Sequence, residues 1–193
     1  MSVNISEIVQ TLKADNNNIV CMPSDTVYGL FACAFNRQAV ERLYEVKGRD
    51  ENKPFIILLA SKEELEKFGV TNLSEVAQKI LQTYTPGSVT FIVEVQSPEF
   101  EYLKRNGKTL AFRIPDDETL QSILKETGPL VAPSANPQGL ATARNIEEAK
   151  AYFRETVNLY VDGGDVKGEP STIVDVSEEK LKIVRQGKIH INL

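Results

Sequence analysis

The sequence is poor in the residues that most often carry out covalent and metal-dependent catalysis. Its 193 residues include one histidine and two cysteines, and none has the spacing of a metal cluster, a Cys-His pair or a Ser-His-Asp set. His190 is close to the end of the chain, which argues against a histidine that activates a nucleophile. Cys21 and Cys33 lie in apolar segments without CxxC spacing, so we expect buried, reduced thiols and a cytoplasmic location.

Long apolar runs and an excess of positive charge are also absent. No run approaches the ~20 residues that a membrane-spanning helix requires, and the first residues are polar, unlike a signal peptide. Lys and Arg number 22 against 27 Asp and Glu, which gives a net charge of −5. This charge argues against a protein dedicated to nucleic-acid backbones, although it is compatible with a local basic cleft.

The spacing of apolar residues allows the secondary structure to be predicted. No linker or repeat divides the chain, so we expect a single domain over 1–193. Capping-box spacing predicts helices that begin at Asn4, Ser61, Asn72 and Asn145, with Glu7, Glu64, Glu75 and Glu148 as the partners. Further helices are predicted from Asp116 and over 37–46. Short apolar runs predict strands over 19–22, 30–34, 55–59, 89–95, 110–114, 130–132, 159–161, 172–176 and 181–184. The order predicts an α/β fold of the α+β type, with a twisted mixed parallel and antiparallel sheet and helices on both faces.

Three cations follow one of the predicted helices. Lys47 and Arg49 flank a glycine, and Lys53 precedes the next strand. One interpretation is that the first two offset the dipole at the end of the helix. However, three cations on one short loop repel each other unless an anion lies among them, and a triphosphate suits Arg and Lys donors. Neither GxGxxG nor GxxxxGK[ST] is present, so the common nucleotide-binding loops are excluded.

Polar residues also occur next to several predicted strands. Ser134 and Asn136 follow a strand, where ligands bind in open α/β sheets, although the same residue types also favour an ordinary turn. Thr26 lies in a loop whose next residues are too apolar for a solvated hairpin tip. Arg113 ends an apolar strand and must be paired, either with a protein carboxylate or with a substrate carboxylate.

Taken in order, these segments resemble the YrdC-like threonylcarbamoyl-AMP synthases over about 19–187. The shared motifs are PSDTVYGL at 23–30, KxR at 47–49, Lys53-Pro54, PGSVTFIV at 86–93, LAFRIPD at 110–116, SxN at 134–136 and STIVD at 171–175. Each motif is weak alone, but all of them in this order are highly specific. The family is a transferase family that joins L-threonine, bicarbonate or CO2, and ATP into threonylcarbamoyl-adenylate and pyrophosphate, for the tRNA modification threonylcarbamoyladenosine.

The resemblance implies a YrdC-like fold with a deep, positive cleft and a nucleotidyltransferase activity that takes Mg2+ through the ATP phosphates. It implies ATP contacts at Arg49, Lys53, Thr109, Ser134, Asn136, Thr142 and Arg185. It implies threonine contacts at Thr26, Arg113 and Ser171, and catalytic roles for Lys47 and Arg49. The partners implied for this short single-domain form are separate threonylcarbamoyl transferase proteins, and a weak contact with tRNA is left open.

The sequence departs from the family pattern at one position. Many members have a histidine that touches threonine where this chain has Leu58, so we expect one polar contact fewer.

The sequence leaves two alternative functions open. One is a paralogue of the same fold with a different acceptor. The other is a non-catalytic RNA-binding module, which the net charge and the lack of aromatics interleaved with basic residues oppose.

Overall fold

The computed structural model describes residues 3–14, 17–178 and 180–192. Within them the α-helices are α1 (Ile5–Ala14), α2 (Arg37–Lys47), α3 (Glu75–Tyr84), α4 (Glu101–Lys104), α5 (Glu118–Thr127) and α6 (Ile146–Phe153). The strands are β1 (Val20–Met22), β2 (Gly29–Cys33), β3 (Ile56–Leu58), β4 (Val89–Glu94), β5 (Thr109–Arg113), β6 (Leu130–Val131), β7 (Leu159–Tyr160), β8 (Thr172–Asp175) and β9 (Lys182–Arg185). Short 3-10 helices cover Lys62–Phe68, Pro98–Phe100 and Arg154–Thr156. Every predicted strand is confirmed, with ends that shift by one or two residues.

Two of the four predicted helix starts have the expected caps. The Oδ1 atom of Asn4 accepts a hydrogen bond from the amide of Glu7 at 3.2 Å. The Oδ1 atom of Asn145 accepts one from the amide of Glu148 at 3.0 Å. Each bond satisfies one of the amides that a helix leaves unpaired in its first turn, so the side chain fixes where the helix begins.

The other predicted starts need correction. The start at Asn72 is wrong, because the Ser74 side chain caps α3. Asp117 rather than Asp116 caps α5. At Ser61 the chain forms a 3-10 helix without a side-chain cap. In the first two cases the sequence offers two capping residues within a few positions, and spacing alone does not decide between them.

The strands form a single mixed sheet within the described residues, in the order β7-β1-β2-β6-β3-β5-β4-β8-β9. Three neighbouring pairs are parallel: β1 with β7, β3 with β5, and β4 with β8. The remaining neighbours are antiparallel. This arrangement confirms the predicted mixed sheet.

Successive strand residues enter two different apolar layers, one on each face of the sheet. In β3, Leu58 belongs to the layer that contains Ile8 and Leu12 of α1 and Ile123 of α5. Its neighbour Ile57 belongs to the opposite layer, to which α2, α3 and α6 contribute. The alternation follows from the pleat of a strand, and it places helices on both faces as predicted.

Candidate functional site

A cavity of about 400 Å³ lies over the face of the sheet that also carries α1 and α5. Eight of the eleven predicted site residues line it: Thr26, Arg49, Thr109, Arg113, Ser134, Thr142, Ser171 and Arg185. The residues come from loops and strands that are far apart in sequence. Lys47, Lys53 and Asn136 do not line the cavity.

Strand β5 runs along the cavity and carries a polar residue at each end. Thr109, Ala111 and Arg113 all face the cavity because alternate residues of a strand point to the same side. Thr109 and Arg113 are four residues apart, so they are separated by about 13 Å along the strand. Ile92 of β4 and Ile173 of β8 add apolar surface beside them. The cavity is therefore elongated, with separate polar ends.

The Arg113 side chain is buried and contacts two neighbouring residues of one loop. Its Nη1 donates to Oγ1 of Thr26 at 2.9 Å, and its Nη2 lies 3.2 Å from Oδ1 of Asp25. Asp25 also accepts a hydrogen bond from Ser88 at 3.2 Å. Among the described residues the Nε atom of Arg113 has no hydrogen-bond partner. Arg113 thus has the protein carboxylate that the sequence left open as one alternative, and it still faces the cavity.

Ser171 and Arg185 form a second polar group at the cavity wall. The Nε and Nη2 atoms of Arg185 donate to the Ser171 carbonyl oxygen at 3.1 and 2.8 Å. Burial, and to a lesser extent the nearby Arg113 guanidinium, lower the pKa of Arg185. Two guanidinium groups at this end favour a bound anion, because an anion between them reduces their mutual repulsion.

Arg49 lies at the cavity wall beside an aromatic ring. Its Nε donates to the backbone oxygen of Lys53 at 3.0 Å, and its guanidinium lies 5.4 Å from the centre of the Phe55 ring. Burial lowers its pKa from the usual arginine value. Within the described ranges no Asp or Glu lines the cavity, and neither Arg49 nor Arg185 has an ion pair there. The lining therefore carries an excess of positive charge.

Lys47 is buried below the loop that follows β6 rather than in the cavity wall. Its Nζ donates to the backbone oxygens of Ser134 and Asn136 at 2.5 and 2.6 Å, and it lies 3.1 Å from Oδ1 of Asn136. Burial, and secondarily the Arg49 guanidinium, lower its pKa to about 7. These contacts fix the loop that brings the Ser134 hydroxyl to the cavity.

Lys53 and Asn136 also lie outside the cavity wall. The Lys53 side chain is exposed, and its ammonium is 3.7 Å from the carboxylate of Asp50. Asn136 accepts a hydrogen bond from the Ser134 hydroxyl at 2.6 Å and donates to the Leu140 carbonyl at 2.7 Å. Asn136 therefore holds the shape of the loop, whereas Lys53 directly precedes Pro54, which lines the cavity, and its backbone oxygen accepts a hydrogen bond from Arg49.

The structure adds two findings that the sequence did not provide. Asp25 was not predicted as part of the site, although an acidic residue directly before Thr26 and close to the apolar Val27 was a usable signal. Leu58 is fully buried in the α1 and α5 layer and does not line the cavity. The expected loss of one polar contact to threonine at this position stays a prediction.

The loop 162–170, which follows β7, is fixed against the Thr26 loop. The Tyr28 hydroxyl accepts a hydrogen bond from the amide of Gly163 at 2.8 Å and donates to the next carbonyl oxygen at 3.0 Å. A Cβ atom at Gly168 would collide with the backbone oxygen of Thr26, so only glycine fits there. The loop that leads to Ser171 is thus held against the loop that carries Thr26.

No helix in the described part of the chain is long and apolar enough to cross a membrane.

Sequence comparisons relate nearly the whole chain to one family. The family model for Sua5, YciO and YrdC, described as telomere recombination, matches residues 13–187. A threonylcarbamoyl-AMP synthase of Bacillus subtilis is 31% identical over 193 residues, which cover 98% of this chain and 56% of that protein. A threonylcarbamoyl-AMP synthase of Pseudoalteromonas translucida is 32% identical over 169 residues, which cover 84% of this chain and 89% of that protein.

Solved structures show the same fold. Pyrococcus abyssi Sua5 in complex with L-threonine has a TM-score of 0.87 and 29% identity, over 95% of this chain and 54% of that chain. The chain therefore spans about half the length of that Sua5 protein. Escherichia coli YciO has a TM-score of 0.82 and 24% identity, over 95% of this chain and 88% of that chain.

Proposed function

This chain belongs to the Sua5/YciO/YrdC family, and from that premise we propose that it is a threonylcarbamoyl-AMP synthase. The reaction joins L-threonine, bicarbonate or CO2, and ATP, and it releases pyrophosphate. One observation carries the proposal. A single elongated cavity has arginines and hydroxyls at both ends, and in the described residues no carboxylate lines it. Such a lining suits two substrates that both carry anionic groups and must meet.

We assign the two substrates to opposite ends of β5. Arg113, Thr26 and Ser171 would hold the threonine carboxylate and hydroxyl, because all three are buried polar residues that line the cavity. The nucleotide would lie toward Thr109, with further contacts at Arg49, Ser134 and Thr142. Arg185, which is hydrogen-bonded to Ser171, would contact its phosphates where the two substrates meet. Lys53 would reach the triphosphate from the cavity opening. Mg2+ would arrive with ATP as part of the substrate, bound to phosphate oxygens.

The chemistry requires little covalent participation by the protein. The threonine amine adds to CO2 and loses a proton, which gives a carbamate. A carbamate oxygen then attacks the α-phosphorus of ATP, and the bond to pyrophosphate breaks. Holding two reactants in line can lower such a barrier by ~7–11 kcal/mol. Arg49 would stabilise charge that develops on the phosphate oxygens.

The geometry changes the role that we give to Lys47. Its ammonium is occupied by oxygens of the loop after β6, so we assign it to positioning that loop rather than to contact with the phosphates. Neutralisation of the triphosphate then falls to Arg49, Lys53 and the Mg2+ that accompanies ATP. The product would pass to separate threonylcarbamoyl transferase proteins, which complete the tRNA modification.

Product analysis tests the proposal directly. We expect pyrophosphate release only when threonine and bicarbonate are both present, and mass spectrometry should detect threonylcarbamoyl-adenylate. Equal release with serine, or without an amino acid, would support the paralogue with a different acceptor instead. Salt-dependent RNA binding without any ATP turnover would support the RNA-binding module.

A further inference from the structure

Thr90 lies directly behind the cavity without lining it. It is in β4, within the PGSVTFIV segment, and its side chain is 0% exposed. Its Oγ1 atom is 2.8 Å from the Oγ atom of Ser171, which does line the cavity. Ser171 directly precedes β8, which runs parallel to β4 with Thr90 paired to Ile173, so the sheet register holds the two hydroxyls close together.

The direction of this hydrogen bond follows from the partners that each hydroxyl has. Among the described residues the Thr90 hydroxyl has no other hydrogen-bond partner. If Ser171 were the donor, the Thr90 proton would be buried and unpaired, which is unfavourable. Thr90 is therefore the donor.

Ser171 then has only one direction for its own proton. A serine hydroxyl has two acceptor lone pairs and one proton. The Ser171 Oγ accepts from Thr90 at 2.8 Å and from Nη2 of Arg185 at 3.2 Å, which occupies both lone pairs. Since Ser171 lies at the cavity wall, its proton is left for a ligand in the cavity.

We propose that Thr90 is a positioning residue that makes Ser171 a dedicated hydrogen-bond donor toward the amino-acid substrate. A carboxylate accepts hydrogen bonds only, so a hydroxyl that can only donate selects for it. The inference rests on the proposed function, because Ser171 is there assigned to threonine. Thr90 itself touches no substrate and acts through Ser171.

The test uses two substitutions that differ by one hydroxyl group. Thr90→Ala should raise the KM for threonine about threefold to tenfold, the value of one neutral hydrogen bond. The KM for ATP should stay at the wild-type value. Thr90→Ser restores the hydroxyl and should restore the KM for threonine. If Thr90→Ala does not fold, Thr90→Val removes the same hydroxyl and keeps the branched shape of the side chain.

A double variant shows whether the effect passes through Ser171. In the Ser171→Ala background, Thr90→Ala should raise the KM for threonine no further. An unchanged KM in the single variant, a lowered KM, or an additive effect in the double variant would each overturn the inference. Failure of the proposed function looks different, because the wild-type protein would then release no pyrophosphate in response to threonine.

Discussion

Arg113 contacts two protein groups at once, and lysine could not reproduce this geometry. Its two terminal nitrogens reach Thr26 at 2.9 Å and Asp25 at 3.2 Å, while Nε has no partner among the described residues. The single ammonium of Arg113→Lys keeps the charge but loses the planar fork. A charged hydrogen bond contributes ~1.5–3 kcal/mol, so the KM for threonine should rise about 10-fold to 150-fold. The KM for ATP should stay close to its wild-type value.

Initial rates of pyrophosphate release at varied threonine, with saturating ATP and bicarbonate, measure this change. Thr26→Val is the matched control, because it removes one hydroxyl without changing shape and should raise the same KM by less. Calorimetric ATP binding without threonine should be nearly unchanged in both variants. If both variants lose ATP binding, or if Arg113→Lys is unfolded, Arg113 is nucleotide-facing or structural. The threonine site must then be placed elsewhere in the cavity.

The other cations give two further predictions. Arg49→Ala and Lys53→Ala should both lose most of the activity and stay folded. Lys53 is exposed and contributes little stability, whereas Arg49→Ala also loses a hydrogen bond to the Lys53 carbonyl, which is worth about 0.5–1.5 kcal/mol. Near-normal turnover in either variant would contradict the assigned phosphate contacts. Burial lowers the pKa of Lys47 to about 7, below the ~10.4 expected in the unfolded chain. The unfolded chain therefore binds more protons between these values. The free energy of unfolding of the wild-type protein should rise with pH, relative to Lys47→Met, by up to ~1.4 kcal/mol per pH unit. Urea denaturation of both proteins from about pH 7 to about pH 9 measures this slope. If the free energies of unfolding of the two proteins change in parallel with pH, the loop oxygens keep the Lys47 ammonium protonated.

Much of the fold follows from local signals in the sequence. The strands are recognisable because short apolar runs are bounded by turn residues. The starts of α1 and α6 are recognisable because an asparagine stands three residues before a glutamate. Signals of this kind fail where two capping residues compete, as at Asn72 and Ser74. They also gave no indication of α4, which has four residues.

The site was predictable as a set of residues but not as a set of roles. Lys47 and Ser134 are 87 positions apart, and so are Thr26 and Arg113. No local pattern shows that the lysine points into a loop while the arginine points into the cavity. From the sequence alone, Lys47 and Arg113 were therefore both predicted to contact substrate. Only the packing distinguishes a cation that supports a loop from one that meets a ligand.

Strand β5 is hydrogen-bonded to β3 on one side and to β4 on the other, so its length cannot change. The distance between the groups at Thr109 and Arg113 is therefore set by a whole number of residues. Inserting or deleting one residue between them would turn one of the two to the opposite face. Evolution of this cavity toward longer or shorter substrates is thus restricted to its loops, while β5 keeps a constant separation between the two binding ends.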